Sequence, residues 1–79
     1  MNVADIEKEW ADRASRFLKA ELKRADVTYE ELASRLNKKG WSETKASIAN
    51  KLSRGAFTAT FFLAALSEIG ISIVNIEQI

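Results

Sequence analysis

The 79 residues include 12 lysines and arginines against 11 acids, for a formal net charge of +1. There is no cysteine and no histidine, which excludes disulfide staples and the usual zinc sites and removes the commonest general base. Hydrophobic residues make up 47%, enough to pack one core in a single domain over 1–79, yet no apolar run approaches the roughly 18–20 residues of a membrane span. The opening MNVADIEKEW is acidic and amphipathic, without the form of a signal peptide, and the expectation is a cytoplasmic protein with no membrane association.

The first predicted element is a long helix over 3–24. Asn2 can cap it, and Ile6, Trp10, Ala14, Phe17, Leu18, Leu22 and Ala25 recur at spacings of three and four. Trp10 and Phe17 are expected to anchor the core. Ala25-Asp26-Val27 forms the turn that follows. Thr28-Tyr29-Glu30-Glu31 then has the spacing of a capping box for a second helix over 29–39, with Leu32, Ala33 and Leu36 as its apolar stripe. Lys38 and Lys39 sit at the negative end of the dipole, Gly40 suits the left-handed residue after the last turn, and Trp41 is expected to fold back on Leu36.

Ser42 is the predicted cap of a third helix over 43–54. Ile48, Ala49 and Leu52 share one face of it. The opposite face carries Glu43, Ser47, Asn50 and Arg54, flanked by Thr44 and Lys51, and Gly55 ends it. Phe57 is expected to tuck into the core. Thr58 or Thr60 caps a fourth helix over 59–69, apolar nearly all round and hence the expected central packing helix. The tail ISIVNIEQI is rich in β-branched residues, which predicts a strand over 71–78. A lone strand needs a partner, so Ile71, Ile73, Val74 and Ile76 are the predicted dimerisation residues, pairing two copies. The alternative is an extended tail lying on its own domain.

Charge is unevenly distributed. Residues 1–33 hold six bases and eight acids, residues 34–54 six bases and one acid, and residues 55–79 two acids and no base. The segments therefore carry −2, +5 and −2, and the excess positive charge falls on the second and third helices. Two short helices joined by a glycine turn, the second with a polar outward face and local basic charge, have the layout of a helix-turn-helix. Ser47, Asn50, Lys51 and Arg54 are the predicted base-contacting residues, because Asn can pair bidentately with adenine and Arg with guanine. Thr28, Tyr29, Lys38, Lys39 and Lys45 are the predicted phosphate-contacting residues.

From Thr28 to Ile71 the motifs T-x-E-E-L-A-x-x-L, S-R-G and F-L-A-A-L-x-x-I-G resemble the phage-repressor class of helix-turn-helix domains. More narrowly, RASRFLKAELKRADVTYEELASRLN and ASIANKLSRGAFTATFFLAALSEIG resemble a family of small bacterial domains of unknown function. The broad resemblance implies a mainly α, four- to five-helix bundle with the helix at 43–54 as the recognition helix; the narrow one implies no activity. The chain departs from the class at Tyr29, where Gln is frequent, and in the length of the Lys38–Trp41 link.

The expected function is sequence-specific binding of double-stranded DNA by a homodimeric transcriptional regulator, paired through its C-terminal strand. The alternative is a protein-interaction module or inhibitor built on a helix-turn-helix scaffold. No cofactor and no metal are expected. Nothing pairs a nucleophile with a base at usable spacing, so no enzyme activity is expected.

Overall fold

A computed structural model describes residues 2–79. Among them four α-helices follow in order: α1 (Val3–Arg24), α2 (Tyr29–Lys38), α3 (Lys45–Arg54) and α4 (Ala59–Glu68). A single 3-10 turn follows at Ile76–Gln78.

Each helix opens on a side chain that accepts from the backbone three residues on. Asn2 accepts from the Asp5 amide at 3.0 Å, Thr28 from Glu31 at 3.1 Å, Thr44 from Ser47 at 3.0 Å and Thr58 from Phe61 at 3.0 Å. Thr44, not Ser42, caps α3, so that helix starts two residues later than the expected 43–54. The reason is reciprocal capping: the Ser47 hydroxyl accepts from the Thr44 amide at 2.8 Å. At Thr28 the expected box is only half made. The Glu31 carboxylate turns away to Arg35 Nε at 3.1 Å, a charge-assisted bond along the helix.

All four helices end alike. The third residue past α1, α2 and α4, and the second past α3, donates to a carbonyl five positions earlier: Val27 to Leu22, Trp41 to Leu36, Ile71 to Leu66 and Ala56 to Lys51, at 2.9–3.2 Å. The intervening residue is left-handed, and it is glycine except after α1, where Asp26 takes φ 58°. The ends of α2 and α4 fall one residue before the expected 39 and 69.

α2 packs on α3 and α4, and α1 packs on the same pair. Leu18 and Leu22 of α1, Leu32 and Leu36 of α2, Ile48 and Leu52 of α3, and Phe61, Ala65 and Leu66 of α4 form the core. The central place expected for α4 is therefore shared with α3, and its Leu63 is exposed. Phe57 enters an aromatic cluster, stacked on Phe62 with centroids 5.8 Å apart. The Trp41 amide donates to the Leu36 carbonyl, while its ring packs on the core against Phe61, edge-on at 6.2 Å. Phe17 is half-buried against Phe62.

Trp10 is not a core anchor: 46% of it is exposed, with Val3 and Ile6 exposed beside it. A 22-residue helix is about 33 Å long, whereas 10-residue partners cover about 15 Å. The first turns of α1 overhang the bundle.

The predicted strand over 71–78 does not form, and no strand occurs among the described residues. The Ile71 amide is taken by the end of α4. Asn75 accepts from the Glu77 amide at 3.0 Å and starts the 3-10 turn, and Arg13 Nε donates to the Ile79 carbonyl oxygen at 2.8 Å. Ile71 and Val74 rest half-buried on the core. The β-branched composition thus serves a tail lying along its own domain, held by bonds at both of its ends.

Gly55 ends α3 at φ 62°, and a Cβ there would lie 3.4 Å from Ala11 Cβ on α1. Gly55→Ala should lower the unfolding free energy by about 1 kcal/mol or more through backbone strain and this contact. The midpoint of guanidinium unfolding, at unchanged slope, measures it.

Candidate functional site

The link between α2 and α3 is held by one side chain from each direction. Asn37, in the last turn of α2, donates through Nδ2 to the Glu43 carbonyl at 2.8 Å. Its Oδ1 accepts from the Glu43 amide, also at 2.8 Å. Both backbone groups of Glu43 are thereby fixed one residue before the Thr44 cap. The residue is 7% exposed, so its carboxylate must find partners inside. Oε1 accepts from Ser47 Oγ at 2.7 Å, and Oε2 accepts from Lys51 Nζ. The Lys51 ammonium also lies over the Phe61 ring, 4.6 Å from its centroid. Glu43, Ser47 and Lys51 stand four residues apart and form one continuous polar brace along the flank of α3.

This brace redistributes the expected contact residues. Glu43 is not on the outward face of α3. Ser47 is half-buried, its hydroxyl shared between the Thr44 cap and Glu43. Lys51 is half-buried and ion-paired. Asn50, Arg54 and Lys45 are exposed, and among the described residues their side chains make no hydrogen bond or ion pair within the chain. Asn50 stands at the middle of the outward face. Ala46 one turn before it and Ser53 one turn after it are exposed on the same face. Neither was among the expected contact residues; their spacing from Asn50 was the available signal.

The other predicted residues divide similarly. Thr28 is exposed at the start of α2, its hydroxyl oxygen accepting from Glu31 with the proton free to donate. Tyr29 is half-buried against the core. Lys38 is exposed and makes no side-chain bond among the described residues. Lys39 Nζ instead reaches Glu68 Oε2 at 2.9 Å. Arg35 Nη1 donates to the Glu68 carbonyl at 3.0 Å, so these two cations tie the α2 flank to the end of α4. Of the predicted dimerisation residues, Ile73 and Ile76 are exposed while Ile71 and Val74 contact their own core.

The local result is a short helix, fixed at its start by the Glu43 brace. The Ser15 hydroxyl of α1 donates to the Leu52 carbonyl in its last turn. Outward it presents a carboxamide, a guanidinium, an ammonium and two small side chains. Asn37 and Glu43 are the residues that position it, and neither was singled out for that role from the sequence.

Residues 10–74 match a family described as a domain of unknown function, DUF6471. No curated protein and no solved structure matches the chain.

Removing Lys51 leaves the buried Glu43 carboxylate with Ser47 alone. Lys51→Ala should cost about 3 kcal/mol of stability. A double-mutant cycle with Glu43→Gln should show coupling of about 1–3 kcal/mol, read from denaturant unfolding of the four proteins. Additive effects would remove the brace from the account of α3.

Proposed function

The chain belongs to the DUF6471 family, whose description assigns no activity, and we propose that it binds double-stranded DNA sequence-specifically as a homodimeric bacterial transcriptional regulator. In this reading α2 and α3 are a helix-turn-helix related to those of phage repressors, and α3 enters the major groove. The observation that carries it is the outward face of α3. Asn50, at its centre, has the donor–acceptor pair that matches N6 and N7 of adenine. Arg54, one turn on, reaches guanine or the adjoining backbone. Ala46 and Ser53 are small enough to let the helix axis approach the base edges, and the Ala46 methyl suits a thymine methyl.

Phosphate contacts fall to the exposed cations. Lys38 at the end of α2 and Lys45 at the start of α3 flank the link, where each can neutralise a phosphate. The Thr28 hydroxyl and the first amides of α2 form an anion-favouring helix start. Lys39, Ser47 and Lys51 serve a different purpose in this reading: they hold the two helices in register and leave the reading to Asn50 and Arg54. Two such modules related by a two-fold axis would read half-sites about one helical turn apart.

Selection from random duplexes at two salt concentrations tests the proposal, with enrichment of a palindrome that is lost at high salt as the expected result. Asn50→Ala should then cost about 1–3 kcal/mol at the enriched site and little on random DNA. Lys45→Ala should weaken both alike and reduce the salt slope by about one. Absence of binding even at low salt would overturn the reading and point to a protein partner.

A further inference from the structure

The overhang of α1 combines two features. Val3, Ile6 and Trp10 are exposed and follow one another at spacings of three and four, so they form an apolar stripe that stays open to solvent. The same face continues into Arg13, which is half-buried and bonded to the Ile79 carbonyl, and Phe17, which is half-buried against Phe62. Arg13 lies over the Trp10 ring, 4.2 Å from its centroid, and a cleft of about 310 Å³ opens beyond it between α1 and the tail. Arg13, Arg16 and Arg24 line that cleft.

Charge divides α1 at the same point. Residues 2–12 carry four acids and one base, giving −3, and residues 13–24 carry five bases and one acid, giving +4. Within one chain the two halves lie end to end and meet only at their junction, where Arg16 Nε donates to the Asp12 carbonyl at 3.3 Å. Side by side in parallel, two copies would set like charges together. Antiparallel, the acidic half of each α1 lies along the basic half of the other.

We propose that the exposed face of α1 is the homodimer interface, with a second copy of this chain packed antiparallel across it. A two-fold axis near Trp10 sets this indole against its own copy. Val3 and Ile6 then cover the turn holding the partner's Phe17, and Asp5 and Glu7 approach the partner's Arg13 and Arg16 at the mouth of the cleft. The stripe loses its contact with water, and Arg13 and Arg16 gain the carboxylates of Asp5 and Glu7, which lie more than one helical turn from them within one chain. This gives the two-copy part of the DNA reading a surface, now that the tail forms no strand. The tail takes no part as a strand, and Ile73 and Ile76 lie outside the seam.

Sedimentation velocity over a concentration series, without DNA, tests this separately from DNA binding. The wild-type chain should associate to a dimer, more weakly as salt rises. Ile6→Ser with Trp10→Ser should weaken association by about tenfold or more, while Ile73→Ser with Ile76→Ser should leave it unchanged. These positions are exposed, and far-UV circular dichroism checks that the helices persist. Charge reversal is the decisive arm. Asp5→Lys with Glu7→Lys, or Arg13→Glu with Arg16→Glu, should each weaken the dimer about tenfold at low salt, and all four together should restore it. A monomer at every concentration, a dimer indifferent to the Ile6 and Trp10 changes, or no restoration by the combined reversal would overturn the proposal. Each of those results leaves the DNA assay to stand or fall by itself.

Discussion

The geometry around α3 depends on burying one carboxylate. A charge taken out of water costs several kcal/mol unless it is paired and hydrogen-bonded. Glu43 meets that condition with Ser47, Lys51 and the Asn37 clamp on its backbone. Because each partner sits at a fixed place on α2 or α3, the carboxylate is satisfied only when the two helices hold their observed relation. A hydrophobic residue in its place would pack with less directional demand. The ionic group therefore contributes register here, in addition to any net stabilisation.

The same pairing decides which cations are free. Segment charge suggested a uniformly basic pair of helices, but Arg35, Lys39 and Lys51 are engaged with Glu31, Glu68 and Glu43. Two of those acids lie outside the segment over which the charge was counted. Within that segment the cations left without an ion pair are Lys38, Lys45 and Arg54, around the link and the outward face of α3. Charge counted along the chain located the basic region correctly but could not assign the individual residues, because ion pairing is settled by tertiary contact.

The helices were legible because several local signals agreed at each of them. Apolar spacing, a Thr or Asn start and a glycine stop all pointed to the same boundaries for α2 and α4, within one residue. At α3 two hydroxyl residues, Ser42 and Thr44, competed for the cap, and the choice depended on Ser47 completing the box and Glu43 turning inward. Trp10 was misread because periodicity reports a face without reporting what lies against it. The tail was misread for a similar reason. Its isoleucines favour extended backbone, but strand formation needs a neighbour, and the end of α4, Asn75 and Arg13 draw its polar groups into other bonds. At the candidate site Asn50 and Arg54 were legible as exposed polar residues on a helix. Asn37 was not, since its role is to bond the backbone of a residue in the next segment.

α1 connects the proposed seam to α3. It contacts α3 where Gly55 passes Ala11, and again where Ser15 reaches the Leu52 carbonyl. Ala11 is the next residue after Trp10, at the centre of the proposed seam. A two-fold axis there would be separated from the end of α3 by little more than the width of one helix. No flexible loop would intervene between the seam and the outward face. The separation of the two copies of Asn50 would then be fixed by helix packing: α1 on its copy, and α1 on α3. On the proposed DNA reading, a substitution that tilts α1 over α3, such as a larger residue at Ala11, would change the spacing of the two copies of α3 without altering its outward face. The close approach of Gly55 to Ala11 would thus set the separation of the two α3 helices in the proposed dimer as well as the end of a helix.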